Sequence, residues 1–138
     1  MKVAVTTQSG GIKDLVVPQF GRAPTFTIVE LSESGEVKSV EVINNVATQQ
    51  LSGAGVSSAQ LMVDKGVKCV ITGSVGPKAM DVLSSAGIKI YSAAGLTVEE
   101  AIKKLVSGQL SEITSPGGWG MGKGMGKGMG RGMGRRWM

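Results

Sequence analysis

Histidine is absent from this 138-residue chain, and cysteine occurs once, as Cys69. Those two gaps exclude more chemistry than any other feature. Without histidine the commonest general base and metal ligand is missing. One cysteine cannot form an internal disulfide, nor build a four-thiolate cluster or zinc site within one chain. Such thiol usage suits a reducing compartment, and the chain is expected to be cytoplasmic. No apolar run approaches the roughly 20 residues that cross a bilayer. The opening Met1-Lys2-Val3-Ala4-Val5-Thr6-Thr7 is too short and too alternating for a secretory signal. Aromatic residues make up only 4% of the chain, so its core must rest on closely packed small aliphatic side chains. Acids are also poorly placed for catalysis. Asp14, Asp64, Asp81, Glu99, Glu100 and Glu112 fall mainly in expected loops or on exposed helix faces. None sits in the first or fourth expected strand, where a carboxylate could hold a catalytic divalent metal. The chain reads as a binding protein, not an enzyme.

What is present is uneven charge. Residues 1–115 contain ten Lys+Arg and ten Asp+Glu, so that part is neutral. The whole excess of +5 lies in Lys123, Lys127, Arg131, Arg135 and Arg136. The division that follows is a folded domain over residues 1–115 and a basic arm over 116–138.

Within the domain, alternating β-branched residues predict strands over 2–7, 25–31 and 36–44, with the turn Ser32-Glu33-Ser34-Gly35 joining the last two. A short extended piece is expected at 15–17. From Gly53 the period becomes helical and stops at Gly66. A short apolar strand follows over 68–72. A helix is expected over 77–85, with Pro77 in its first turn and Gly87 just past its end. Another strand covers 88–92. Thr97-Val98-Glu99-Glu100 reads as a capping box that opens a helix to about Ser107. The order β-β-β-α-β-α-β-α predicts a three-layer α/β/α sandwich on a mixed five-stranded sheet.

Four positions could carry chemistry. In Phe20-Gly21-Arg22-Ala23-Pro24, a guanidinium held between a permissive glycine and a rigid proline would suit an anion. The competing reading is an anchored loop with Arg22 in a surface ion pair. Gly53-Ala54-Gly55 opens a helix, where main-chain N–H groups and the dipole favour negative charge; close packing explains the same glycines equally well. Thr72-Gly73-Ser74-Val75-Gly76-Pro77-Lys78-Ala79 links a strand to its helix, and lacks the spacing of a nucleotide-hydrolysing phosphate loop. It places Gly73, Ser74 and Gly76 at the carboxyl end of a parallel strand, where open α/β sheets bind ligands. If the strand order reverses nearby, the second and third segments share one crevice. Cys69, inside an expected buried strand, reads foremost as a small core residue.

In this order and spacing, Phe20-Gly21-Arg22-Ala23-Pro24, Gly53-Ala54-Gly55 and Gly73 to Ala79 resemble the dinitrogenase iron-molybdenum cofactor biosynthesis family. The likeness covers residues 1 to about 113, including the closing Thr97-Val98-Glu99-Glu100-Ala101-Ile102 helix. It implies a ribonuclease H-like motif with one antiparallel strand, and the binding or carrying of an iron–sulfur or iron–molybdenum cluster without turnover. Relatives often carry a histidine beside the Gly-Ala-Gly segment. Here Gln49-Gln50-Leu51-Ser52 stands there, so ligation by imidazole is excluded.

Residues 120–135 are four copies of Gly-Met-Gly-Lys/Arg, preceded by Trp119 and closed by Arg136-Trp137-Met138. Alternate glycine makes ordering costly, and the arm is expected to be disordered when free. A cationic, pliable arm can hold an anionic, sulfide-coordinated cluster without supplying thiolates. Iron–sulfur storage proteins of the same family resemble this chain in having Gly-Met-rich basic tails. Methionine sulfur alone would favour Cu(I), which the interleaved positive charges oppose. Nucleic acid is the competing polyanion, with the tryptophans stacking on bases; a solubilising extension is the plain alternative. Regulation by a small anion in the domain crevice is a third. The expected cluster contacts are Arg22, Gly53, Ala54, Gly55, Gly73, Ser74 and Gly76 in the domain, with Lys123, Lys127, Arg131 and Arg135 in the arm. A cluster donor or acceptor protein is the partner this implies, and self-association through the arm is a further option.

Overall fold

The computed structural model describes residues 1–45 and 54–114. Six strands and three helices are present among them: β1 (Lys2–Thr7), β2 (Thr25–Leu31), β3 (Val37–Asn44), α1 (Ala54–Asp64), β4 (Cys69–Thr72), α2 (Pro77–Ser85), β5 (Lys89–Ser92), α3 (Val98–Val106) and β6 (Ser111–Glu112). They form one mixed sheet in the order β3-β2-β1-β4-β5-β6. β1, β4 and β5 are parallel, as right-handed strand–helix–strand crossovers require. β2 is antiparallel to both β1 and β3.

The expected five-stranded sheet with one antiparallel strand is thus one strand short. β6 is a second antiparallel strand, pairing Glu112 with Tyr91 and Ser111 with Ser92. Two exposed polar residues carry no periodic signal, so their sequence gives no sign of a strand. The β5 edge supplies the pairing, and Ile113 extends it by donating its N–H to the Ile90 carbonyl at 2.7 Å.

Alternation along the strands sorts the core into two halves. Ala4, Phe26, Ile28, Val70 and Ile90 face α1 and α2, meeting Ala59, Met62, Ala79, Met80 and Leu83. Val3, Val5, Val29, Leu31, Cys69 and Ile71 face the other way, toward Val98, Ala101 and Ile102 of α3. The three-layer α/β/α expectation therefore holds. β3 departs from the pattern: of its four apolar positions only Ile43 packs against the core, while Val37, Val40 and Val42 are 48%, 41% and 44% exposed. β3 is the sheet edge, and no helix among the described residues covers its outer part.

α3 starts where the capping box places it. Thr97 Oγ1 accepts from the Glu100 N–H at 3.1 Å, and the Thr97 N–H donates to Glu100 Oε1 at 2.9 Å. The hydrogen bonds from Thr97 hold the Glu100 carboxyl below its ordinary pKa. The next two donors, Val98 N and Glu99 N, reach the carbonyls of Asp14 and Ile12, both at 2.9 Å. The helix start is thereby saturated and ties the loop after β1 to α3. Thr97→Ala should lower stability by about 1 kcal/mol, measured by urea denaturation, without altering the circular dichroism of the native state.

Candidate functional site

The chain between β1 and β2 crosses the carboxyl edge of the sheet from one core to the other. Val16 is buried on the α3 side and Phe20 on the α1/α2 side. Between them the backbone is bonded directly to the strand ends. The Val17 N–H donates to the Thr6 carbonyl at 2.9 Å, and the Thr6 hydroxyl donates to the Val17 carbonyl at 2.7 Å. The Pro18 carbonyl accepts from the N–H groups of Gly73 and Ser74 at 3.1 and 2.7 Å, and from the Ser74 hydroxyl at 3.2 Å. The Phe20 N–H returns to the Ser74 carbonyl at 3.2 Å. The carboxyl ends of β1 and β4 are therefore covered by the protein's own residues 16–20.

This changes how the candidate donors read. The N–H groups of Gly73 and Ser74 already have a carbonyl partner. A methyl group on Gly73 would lie 2.7 Å from both Cα and O of Pro18, so glycine there permits the close approach of two backbone segments. Gly55 touches α2 in the same manner: a Cβ on it would meet the Ala79 Cβ at 3.3 Å. That contact also sets the first turns of α1 and α2 side by side, so their positive dipole ends lie together. Neither first turn contains an acid. Gly76 is the N-cap of α2 and makes no side-chain cap; it is exposed, with open space where a side chain would project.

Arg22 is exposed on a segment anchored from both sides. Gln19 bridges to Ser74 ahead of α2. Phe20 stacks in a tilted geometry on Phe26, ring centres 5.5 Å apart. On the other flank, Asn45 Nδ2 donates to the Ala23 carbonyl at 2.9 Å and its N–H to the Pro24 carbonyl at 3.0 Å. Asn45 Oδ1 accepts from the Ser58 hydroxyl of α1 at 3.2 Å. Asn45 and Ser58 are both buried. The Arg22 segment is thus bonded to the strand–helix turn before α2 and to α1. Gly55 of α1 and Ala79 of α2 meet beside the N-cap Gly76, the Arg22 segment is tied to α1 through Asn45 and Ser58, and Ala54 opens α1. Gly53, Lys123, Lys127, Arg131 and Arg135 lie outside the described residues.

Asn45, Ser58 and Pro18 hold this rim, and nothing in their local sequence marks them. Asp14 is a further structural centre: its Oδ2 accepts from the N–H groups of Gln8, Ser9 and Gly10 at 2.9, 2.8 and 2.8 Å, and its Oδ1 from Leu15 N–H at 2.9 Å. Partial burial pushes its pKa up, but the hydrogen bonds from Gly10, Ser9, Leu15 and Gln8 together outweigh that and hold it below the ordinary carboxylate value. Other acids are also engaged: Asp64 by Gln60, Glu99 by Lys13. Cys69 opens β4, at the opposite end of that strand from Thr72, and burial pushes its thiol pKa up. Among the described residues no three His, Cys, Asp or Glu side chains cluster to hold a metal ion, and no helix is long and apolar enough to cross a membrane.

The sequence profile of the dinitrogenase iron-molybdenum cofactor family matches residues 1–108. The chain belongs to that family. An uncharacterised protein of Methanocaldococcus jannaschii is 37% identical over 112 residues, covering 81% of this chain and 91% of its own. Among solved structures, the apo form of the orange protein from Desulfovibrio gigas superposes with a TM-score of 0.79 at 34% identity, covering 85% of this chain and 96% of that one. A Thermotoga protein provisionally assigned as a NifB protein gives 0.71 at 35% identity, covering 86% and 98%. The family fold accounts for the three-layer arrangement around the rim.

Two outcomes test this geometry. Gly73→Ala should destabilise by roughly 1–3 kcal/mol, since the backbone of Pro18 must move, whereas Gly76→Ala should cost less than about 1 kcal/mol; thermal or urea melts of both separate the two glycines. For Asp14 the sign follows from a depressed folded-state pKa. Its contribution is complete above the unfolded-state value of about 4 and is lost as pH falls through the lower native value. Asp14→Asn should therefore reduce stability at pH 7 and flatten the acid limb of a stability–pH curve.

Proposed function

We propose that this protein binds and carries, or stores, an anionic iron–sulfur or iron–molybdenum-type metallocluster, without turning it over. The observation that supports this most is the rim itself: two helix starts side by side, without acids in their first turns, with the Arg22 segment tied to α1 through Asn45 and Ser58. It is a cationic surface built mainly of backbone, in a chain with no histidine and one buried cysteine. Membership in the cofactor family supplies the class of anion. Cytoplasmic placement, and a donor or acceptor protein that exchanges the cluster, belong to the same reading.

Magnitudes assign the division of labour. A negative charge at an exposed helix start gains roughly 0.3–1 kcal/mol per helix at low salt. Two helices and one guanidinium therefore hold a polyanion weakly, and such contacts fade as the Debye length falls to about 3 Å in 1 M salt. In the proposed reading Lys123, Lys127, Arg131 and Arg135 provide most of the retention, and the rim supplies orientation.

The test is anoxic incubation of the full-length protein with iron and sulfide, followed by desalting and metal analysis. Iron and sulfide should co-elute with the full chain and be released by high salt. A truncation at Ser115 should retain several-fold less, and Arg22→Ala in the truncated domain should lower the remainder. Protein that stays colourless and metal-free with its arm intact overturns the proposal. Salt-sensitive RNA binding without metal uptake would assign the arm to nucleic acid instead.

A further inference from the structure

The chain leaves the sheet at a defined place. β6 runs antiparallel to β5, pairing Ser111 with Ser92 and Glu112 with Tyr91, and the Ile113 N–H donates to the Ile90 carbonyl. One step further along this register, Thr114 stands level with Lys89, the first residue of β5. Tyr91 packs on the α3 side of the sheet, while Ile90 and Ile113 pack on the other. By alternation Lys89 shares the side of Tyr91.

On that side, at the amino ends of β1, β4 and β5, lies a groove of about 560 Å³. Lys89 lines it nearest Thr114, with Cys69 and Tyr91 along the sheet and Leu105 and Val106 along α3. Cys69 is buried, Tyr91 and Leu105 are half-buried, and Val106 and Met1 flank the opening with 49% and 51% of their surface exposed. Apolar side chains gathered around one opening mark a place to be covered.

The sequence beyond Thr114 supplies the cover. Residues 115–119 read Ser-Pro-Gly-Gly-Trp and carry no charge; the first cation of the arm is Lys123. Pro116 has no N–H for continued pairing, and Pro-Gly is turn chemistry, so the chain is directed off the line of β6. Trp119 is five residues past Thr114, a reach of up to roughly 17 Å. From β5 across β4 to β1 is two strand spacings, or about 10 Å. Tryptophan offers a large apolar body together with an N–H that stays satisfied at a wet rim. Trp137 has the same chemistry but lies 23 residues past Thr114, and closing that longer loop lowers its local concentration about tenfold.

We propose that Trp119 folds back into this groove of its own chain, between α3 and the amino end of β5, and anchors the root of the cationic arm there. The contact uses neither the rim nor a metallocluster, so it stands or falls separately from the function proposed above.

The test uses the full chain at micromolar concentration, without iron or sulfide. Trp137→Phe leaves Trp119 as the sole tryptophan, and Trp119→Phe leaves Trp137. Acrylamide is the quencher, because a neutral molecule ignores the charge of the arm. Trp119 should emit at shorter wavelength than Trp137 and be quenched several-fold less. Its indole protons should show nuclear Overhauser contacts to the methyl groups of Leu105 and Val106. Val106→Asp, at an exposed helical position, should raise quenching of Trp119 toward that of Trp137 with unchanged circular dichroism. Equal quenching of the two tryptophans overturns the proposal, as does protection of Trp119 without contacts to α3 or protection that Val106→Asp leaves intact. Protection that appears only toward millimolar concentration also overturns it, since the indole then comes from a second copy. The contacts in the parent chain decide should Val106→Asp not fold.

Discussion

The Pro18 carbonyl takes hydrogen bonds from two consecutive N–H groups and a hydroxyl of the β4–α2 turn, and the arrangement of the whole rim depends on that junction. Open α/β sheets usually keep the carboxyl ends of their strands for ligands. Here the chain after β1 is laid over those ends and stitched to them. Thr6 bonds to Val17 on one side and to Thr72 on the other, inside the core. The strand ends of β1 and β4 are thus covered by the chain itself, and in the proposed reading a ligand meets the surface outside them. What is left at the surface is the perimeter: the Arg22 segment and the starts of α1 and α2.

The three helix starts differ in how their first turns are satisfied. At α3 the capping box and the carbonyls of Ile12 and Asp14 consume the first-turn donors, and two acids sit in the first turn. That end has been neutralised in favour of stability. α2 begins with glycine and proline, with no side-chain cap and no acid; α1 likewise has no acid in its first turn. The same backbone geometry is thus capped at α3 and left without acid at α1 and α2, according to the side chains around each start.

Much of this organisation was legible locally. The capping box at Thr97 is read correctly because both partners lie within one turn. The strand and helix order follows from periodicity for the same reason. The failures are all non-local. Ser111 and Glu112 become a strand only because β5 offers an edge. The valines of β3 mark a strand in sequence, but only topology shows that it is the sheet edge. Gly73 reads as a ligand-facing glycine until Pro18, far away in the chain, arrives against it. Asn45 and Ser58, which bind the Arg22 segment to α1, are unremarkable residues whose importance comes from being buried together.

An anion site without thiolate or imidazole ligands has a thermodynamic character of its own. Protein–metal bonds would be strong and directional, and their release would require ligand exchange. Contacts made of dipoles and cations are individually small, long-ranged and additive, so their sum depends on how many are presented together. That makes valency the controlling variable in the proposed reading. A second weak contact to the same polyanionic mass becomes effectively intramolecular once the first has formed. In the proposed reading, retention therefore rises steeply with the number of contacts while each stays weak enough to let go.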